Sequence, residues 1–192
     1  ADYQAMNITS REGGMVFDLA TPHGVWRELF VPSVGGHFVW AASFAAAVGQ
    51  LSGLAEGQVR EGLSSYRPAA MRQDIRKPGG VTLMVDCYNA APESMKAALS
   101  ALSLIAGSHR RIAVLGDMKE LGENTVALHR SVGQFAAESG IDLLITVGEL
   151  GAEIATGAVE AGMSPDAVRI TGGKDTYEAT ADYLKSILRR GD

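Results

Sequence analysis

From residue 1 to about residue 33 the apolar positions fall in short runs. Met15-Val16-Phe17-Asp18-Leu19 and Val25-Trp26-Arg27-Glu28-Leu29-Phe30-Val31 flank Thr21-Pro22-His23-Gly24. Pro and Gly between two β-rich runs predict a hairpin, and Asp18 and Arg27 give a partial period-two alternation. The texture changes at Gly35-Gly36-His37. From there to Leu51 the run is Ala-rich and apolar on nearly every face, which predicts a buried helix. A second helix is predicted over Ala55 to Ser64. Tyr66-Arg67-Pro68 breaks the pattern, because proline lacks the helical donor, and a domain boundary is expected there.

Beyond the break, strand and helix signals alternate. Strands are predicted over Val81–Asp86, Arg111–Gly116, Leu143–Gly148 and, more weakly, Ala167–Thr171. Between them lie helical runs. Pro92 to Ile105 aligns Met95, Leu99, Leu102 and Ile105, and Thr125 to Ser139 aligns Leu128, Val132, Phe135 and Ala136. Gly151 to Ala161 follows, and Thr176 to Leu188 aligns Tyr177, Ala181, Leu184 and Leu188. Asp175 and Glu178 have capping-box spacing before the last helix. Continuous apolar strands between amphipathic helices predict an α/β fold with a mostly parallel, doubly wound, Rossmann-like sheet. In such sheets ligands bind beyond the carboxyl ends of the strands. Those ends carry Asp86-Cys87-Tyr88-Asn89, Gly116-Asp117-Met118-Lys119-Glu120 and Gly148-Glu149.

Composition narrows the function. The chain has 192 residues, a formal charge of −5, 6% aromatic residues and one cysteine, Cys87. A net acidic chain poor in aromatics and without a Lys/Arg block is a poor nucleic-acid binder. One cysteine excludes an intrachain disulfide framework and a Cys-rich zinc module. No apolar run reaches the roughly 18 residues a membrane span requires. No signal-peptide pattern opens the chain, so a cytoplasmic location is expected. Neither G-x-x-x-x-G-K-[ST] nor G-x-G-x-x-G occurs, which argues against a triphosphate cradle within this chain and against a dinucleotide-dependent enzyme. Gly172-Gly173-Lys174-Asp175 only approaches the former.

The chemistry-bearing residues each have a bland reading beside a functional one. Asp86 to Asn89 either holds a small polar ligand against the amides of the following helix or is a capped turn with Asn89 bonded to local backbone. Asp117, Lys119 and Glu120 either meet a ligand or another domain, or sit on a solvated loop. His37 opens the Ala-rich helix, where it can meet a flat heterocycle or serve a structural role. Arg72 can clamp a phosphate or be an exposed charge. Cys87 reads as a small buried residue. His23, His109 and His129 are scattered, and no pair has metal-ligand spacing, so no metal site is expected.

The segment Val85-Asp86-Cys87-Tyr88-Asn89-Ala90-Ala91-Pro92-Glu93-Ser94-Met95-Lys96-Ala97-Ala98-Leu99 resembles the D-Y-N-A-N-P-x-S-M-x-A-A-L signature of the Mur ligases. Val114-Leu115-Gly116-Asp117-Met118-Lys119-Glu120-Leu121-Gly122 is similar to the V-L-G-D-M-x-E-L-G of the family's MurF type. His129 and Val132-Gly133 continue that match. Gly36-His37 and its helix resemble the family's G-x-H-N-x-x-N-A-L-A-A segment. The chain departs at Phe38 and Ala41, where the family carries asparagines that contact the nucleotide, and at Ala91 in the signature loop.

The resemblance implies a C-terminal portion of a three-domain ligase. Residues 1–66 would be the tail of the central ATP-binding domain, and 67–192 a Rossmann-like C-terminal domain truncated at its end. The phosphate loop, magnesium ligands and modified lysine are expected upstream, and a K-G-S-R segment just after Asp192. The implied reaction uses ATP with Mg2+ to join D-alanyl-D-alanine to a UDP-N-acetylmuramoyl-tripeptide for peptidoglycan. His37, Arg72, Asp86, Tyr88 and Asn89 would bind ATP; Asp117, Lys119 and Glu120 would form a substrate or interdomain loop. The alternative is a non-catalytic module that binds a nucleotide or dipeptide. An incomplete sheet over 1–66 would leave an open edge, a route to dimerisation.

Overall fold

The computed structural model describes residues 2–172 and 176–192. The near-match at Gly173-Lys174-Asp175 and the cap expected at Asp175 lie outside the described residues. The chain divides into two compact units, 1–69 and 70–192.

The first unit is an antiparallel sheet, β1 (Gln4–Arg11), β2 (Gly14–Thr21) and β3 (Gly24–Val31), with helices α1 (Gly36–Leu51) and α2 (Glu56–Ser64). The β2–β3 hairpin turns through Pro22-His23, with Thr21 opposite Gly24. Thr21 Oγ1 closes the turn by donating to the Gly24 carbonyl (2.9 Å). β2 is the middle strand and is buried from Gly14 to Leu19.

Buried in β2 is a carboxylate, Asp18. It is satisfied by irregularities in the register of both flanking pairs. Asn7 on β1 and Glu28 on β3 both adopt left-handed backbone, with φ of 51° and 50°. The Glu28 N–H donates to Asp18 Oδ1 (2.8 Å), and Asn7 Nδ2 donates to Oδ2 (2.9 Å). Arg27 adds an ion pair at 3.4 Å. Donors aimed at the ionised form stabilise it against desolvation. The Glu28 amide and then Asn7 hold the Asp18 carboxyl below its ordinary value.

Helix α1 differs from its predicted burial. Val39, Ala42, Ala46 and Gly49 are buried against the sheet. Trp40 is 70% exposed, Phe44 66%, Val48 62% and Leu51 79%. These residues recur at helical spacing, so they form one stripe. One face of the helix packs on β1–β3 while the opposite apolar face meets solvent.

The second unit holds a parallel sheet of β6 (Ile112–Gly116), β7 (Leu143–Val147) and β8 (Val168–Thr171), in that spatial order. Helices α3 (Pro92–Ala106), α4 (Thr125–Glu138), α5 (Gly151–Glu160) and α6 (Thr176–Ile187) accompany it. Met95, Leu99, Ala113, Val132, Leu144 and Ile154 belong to one core cluster, which joins α3, α4 and α5 to one face of the sheet. Helices α4 and α5 approach closely through two glycines. A Cβ on Gly133 would overlap the Ile154 carbonyl, and one on Gly157 the Arg130 carbonyl.

Two expectations are corrected here. The predicted strand Val81–Asp86 shortens to β5 (Leu83–Val85) and does not join the parallel sheet. It pairs antiparallel with an unpredicted strand, β4 (Asp74–Arg76), with Asp74 opposite Val85. In α6, the residues turned inward are Thr176 and Thr180, and Tyr177 is 82% exposed. The reason is a chain of hydroxyls. Thr180 Oγ1 lies 3.0 Å from Thr171 Oγ1, which donates to the Thr146 carbonyl (2.9 Å). The buried hydroxyls of Thr180 and Thr171 are tolerated because each has a hydrogen-bond partner.

The Asp18 cluster makes a prediction. A carboxylate whose folded-state pKa is depressed contributes stability above its unfolded value and loses it as pH falls through the folded value. Unfolding midpoints of the chain should therefore drop as pH is lowered below about 4. Asp18→Asn should be less stable at neutral pH and show a shallower drop, measured by urea denaturation across that range. An unchanged slope in Asp18→Asn would refute the assignment.

Candidate functional site

The β4–β5 hairpin positions the first group of site residues. Pairing of Asp74 with Val85 brings the chain before β4 alongside the loop after β5. The Met71 carbonyl accepts both the Cys87 N–H (3.0 Å) and the Tyr88 N–H (3.2 Å). The Arg72 guanidinium consequently sits over the Tyr88 ring, 4.2 Å from its centroid. Arg72 is bracketed by Met71 and Gln73, both in left-handed backbone with φ of 60° and 50°. Such conformations cost about 1–3 kcal/mol each in non-glycine residues and cluster at functional sites.

The Asp86 carboxylate and the Asn89 amide are exposed and make no hydrogen bond among the described residues. The local capping role belongs instead to Ser94, whose Oγ accepts the Ala91 N–H at 3.1 Å. Pro92 opens α3 at its first turn, as its fixed φ favours, and Glu93 follows in the same turn. A cation on an aromatic face, a carboxylate and an amide thus gather at the foot of α3. Cys87 is exposed rather than buried, because its backbone amide, not its side chain, ties it to Met71.

The loop after β6 has a different character. Asp117 turns inward, with its side chain 10% exposed. Its oxygens accept the Glu149 N–H (3.1 Å) and the Leu150 N–H (3.0 Å), just before α5 begins. A carboxylate there satisfies orphan amides and complements the helix dipole. Gly148, at φ 108°, leaves the space: a Cβ would overlap the Asp117 carboxylate. Lys119 Nζ is 3.6 Å from the same carboxylate and is itself exposed, as is Glu120. Of the three residues expected to face a ligand or another domain, Asp117 has both oxygens committed to the fold, and Lys119 and Glu120 present their heads to solvent.

A residue that sequence reasoning left without a role holds this loop from beneath. His129, on α4, is fully buried. Its Nε2 accepts the Met118 N–H (3.0 Å), and its Nδ1 lies 2.7 Å from the Thr125 carbonyl. That pairing assigns a neutral imidazole with the proton on Nδ1. The available signal was a lone polar residue inside the apolar stripe of α4, beside Leu128 and Val132. Met118 itself is buried in the core cluster, against which Ala90 and Leu121 also pack. The loops after β5 and β6 therefore share one foundation.

His37 belongs to the first unit. It is exposed at the first turn of α1, its ring 4.3 Å from that of Phe38. No group of three or more His, Cys, Asp or Glu side chains among the described residues is arranged to hold a metal. No helix among them is long and apolar enough to cross a membrane.

The parallel sheet with its signature loops at the strand ends is that of a ligase C-terminal domain. Residues 71–192 match the family described as Mur ligase, glutamate ligase domain. The chain belongs to the Mur ligase family. Among its curated relatives, the UDP-N-acetylmuramoyl-tripeptide--D-alanyl-D-alanine ligase of Bacillus subtilis is 34% identical over the whole of this chain, which covers 40% of that protein. The ligase of the same description from Mycobacterium tuberculosis is 36% identical over 84% of this chain and 31% of its own length. Among solved structures, MurF from Acinetobacter baumannii superposes with a TM-score of 0.81 at 26% identity, covering 97% of this chain and 39% of that one. MurF from Thermotoga maritima in complex with ADP gives 0.79 at 21% identity, covering 100% and 41%. The chain spans well under half the length of these relatives.

The geometry around Asp117 predicts a graded stability series. Asp117→Ala leaves two amides at the start of α5 without acceptors and should cost about 1–2 kcal/mol. Asp117→Asn keeps one acceptor and should cost less. Urea unfolding of the purified chain checks both; equal stability of all three proteins would show that the carboxylate does not cap α5.

Proposed function

We propose that this chain is the C-terminal part of an ATP-dependent amide ligase that joins D-alanyl-D-alanine to a UDP-N-acetylmuramoyl-tripeptide. What carries the reading is the agreement over the full chain with relatives of that description. The local chemistry supports it. The Arg72 cation suits the phosphates of a nucleotide, and the Tyr88 ring offers a flat apolar face beside it. Asp86 and Asn89 supply an unengaged acceptor and a mixed donor–acceptor. His37, the remaining residue expected to bind ATP, lies in the first unit. Lys119 and Glu120 are the exposed charges of the neighbouring loop, positioned by His129 and Asp117.

In the proposed reaction the terminal phosphoryl group of ATP passes to the tripeptide carboxylate, forming an acyl phosphate. The dipeptide amine then attacks the acyl carbon, an amide bond forms and phosphate leaves. Phosphorylation replaces a poor leaving oxygen by a good one. The task of these residues is to bind and orient, since holding reactants in place removes much of the entropic barrier. Magnesium would neutralise the phosphates when bound. No cluster of the described residues offers it a ligand set, so its ligands would come from elsewhere in a complete enzyme. The chain alone lacks a phosphate loop, and we expect it to show no turnover.

A second reading, a binding module without catalysis, is favoured by Phe38 and Ala41, which stand where the family has asparagines. One experiment separates the two. The chain is joined to the preceding part of the Bacillus subtilis relative and assayed for ATP-dependent ligation. The ligase reading expects activity, and a fall in kcat/KM of about 10–100-fold in Arg72→Ala, the worth of a charged hydrogen bond. Nucleotide binding without ligation by the joined protein would favour the module.

A further inference from the structure

The loop between β6 and α4 carries a two-residue excursion that the fold holds at both sides. Before it, Met118 is buried in the core cluster and its N–H donates to His129 Nε2 (3.0 Å). After it, Leu121 packs against the same cluster, and the Thr125 hydroxyl donates to the Gly122 carbonyl (2.7 Å). His129 and Thr125 lie one helical turn apart on α4, joined by the 2.7 Å contact of Nδ1 with the Thr125 carbonyl. Between Met118 and Leu121 stand only Lys119 and Glu120, and both are exposed.

The two residues of this tip differ. Glu120 has a φ of 61°, in the left-handed region that glycine enters freely and a residue with a Cβ does not. Gly122, two residues on, has the same φ and is a glycine. The Glu120 carboxylate makes no hydrogen bond or ion pair among the described residues, so no contact of its side chain offsets that conformation. Lys119 instead leans on Asp117, its Nζ 3.6 Å from Oδ2. The cation of the tip is thus directed at a carboxylate of the fold, and Glu120 is left as an anion with no cation of its own. A strained, firmly mounted and unpaired carboxylate beyond the carboxyl end of a parallel strand suits a cationic ligand.

We propose that Glu120 accepts the primary ammonium group of the amine substrate, and that His129 positions it through the Met118 amide. The inference rests on the ligation reading, in which the amine substrate is a dipeptide whose amino group is largely protonated at neutral pH. Hydrogen bonds from an ammonium to a carboxylate are charge-assisted, short and directional. A carboxylate held in one place therefore orients the amine as well as attracting it. Glu120 takes no part in the bonds made or broken. His129 is a positioning residue: without its Nε2 the buried Met118 N–H loses its acceptor, and the loop loosens immediately before the tip. The fold alone favours glycine at position 120, and the carboxylate serves the ligand.

Two measurements test this. In urea unfolding of the chain, Glu120→Gly should raise the midpoint, because the backbone strain is relieved, and Glu120→Gln should leave it unchanged. An unchanged or lower midpoint in Glu120→Gly would make the glutamate a structural residue and overturn the proposal. The second measurement uses the chain joined to the preceding part of the Bacillus subtilis relative. There Glu120→Gln should raise KM for D-alanyl-D-alanine by about tenfold or more, with KM for ATP unchanged. A competing dipeptide analogue with hydroxyl in place of the amine should inhibit the unmodified protein and Glu120→Gln equally. His129→Leu, of similar volume but without an acceptor, should raise the same KM and add little to Glu120→Gln when the two are combined. His129→Gln, whose amide oxygen can accept the Met118 N–H, should restore most of the loss. The exposed Glu120→Gln decides the role of the carboxylate whether or not His129→Leu folds. An unchanged dipeptide KM in Glu120→Gln, an equal loss of inhibition by the hydroxyl analogue, or independent effects of the two residues would overturn the proposal while ligation persists. Absence of ligation in the unmodified joined protein would instead remove the ligation reading, and this proposal with it.

Discussion

The carboxylate of Asp117 terminates one element and initiates another. It lies just beyond β6 and accepts the two amides that precede α5. Because β6 and β7 are parallel neighbours, that grip ties the exit of one strand to the exit of the next. Gly148 exists in its left-handed conformation beside this grip, where a side chain would displace the carboxylate. Met118 next in line is held through its amide by His129 and through its side chain by the core. Two consecutive residues, Asp117 and Met118, are therefore consumed by structure, and the chain is released to solvent at Lys119 and Glu120. The signature loop is a rigid mount, and the exposed charges at its tip are what it presents.

The same logic divides the other signature loop in a different proportion. There the backbone does the fastening, through the Met71 carbonyl and the Ser94 hydroxyl, and the side chains of Asp86 and Asn89 are left uncommitted. Arg72 alone is partly spent, on the face of Tyr88. A cation resting on an aromatic ring at an exposed site is held by about 0.5–1 kcal/mol, little enough for a phosphate to draw it away. Conformational cost has been placed in Met71 and Gln73 on either side of it, where the surrounding pairings keep the backbone fixed.

Periodicity made most of this fold legible. The helices of the second unit and the strands β6, β7 and β8 are long or strongly patterned, and their apolar spacing marks them. β4 is a three-residue strand reading Asp-Ile-Arg, too short and too polar to carry a pattern. Its absence from the sequence reading is why Arg72 and Tyr88 were separate observations there and are one contact in the structure. Asp117 was legible as a chemically able residue, but the partners that occupy it lie more than 30 residues away. Burial of Thr180 in α6 overrode the apolar stripe through Tyr177, because a hydroxyl chain through Thr171 to the Thr146 carbonyl was available to satisfy it.

The errors about burial share one cause. An apolar run predicts that a surface will be covered without saying by what. Trp40, Phe44, Val48 and Leu51 read as core because nothing in their spacing distinguishes a covered face from an uncovered one. The strand predicted over Val81 to Asp86 shows the same: its residues are strand-like, yet β5 pairs antiparallel with β4 and does not join the parallel sheet. In each unit, then, the sequence pattern describes more burial than the unit itself supplies. Exposed apolar surface of that extent is uncommon on a self-sufficient domain and marks a place where another surface belongs.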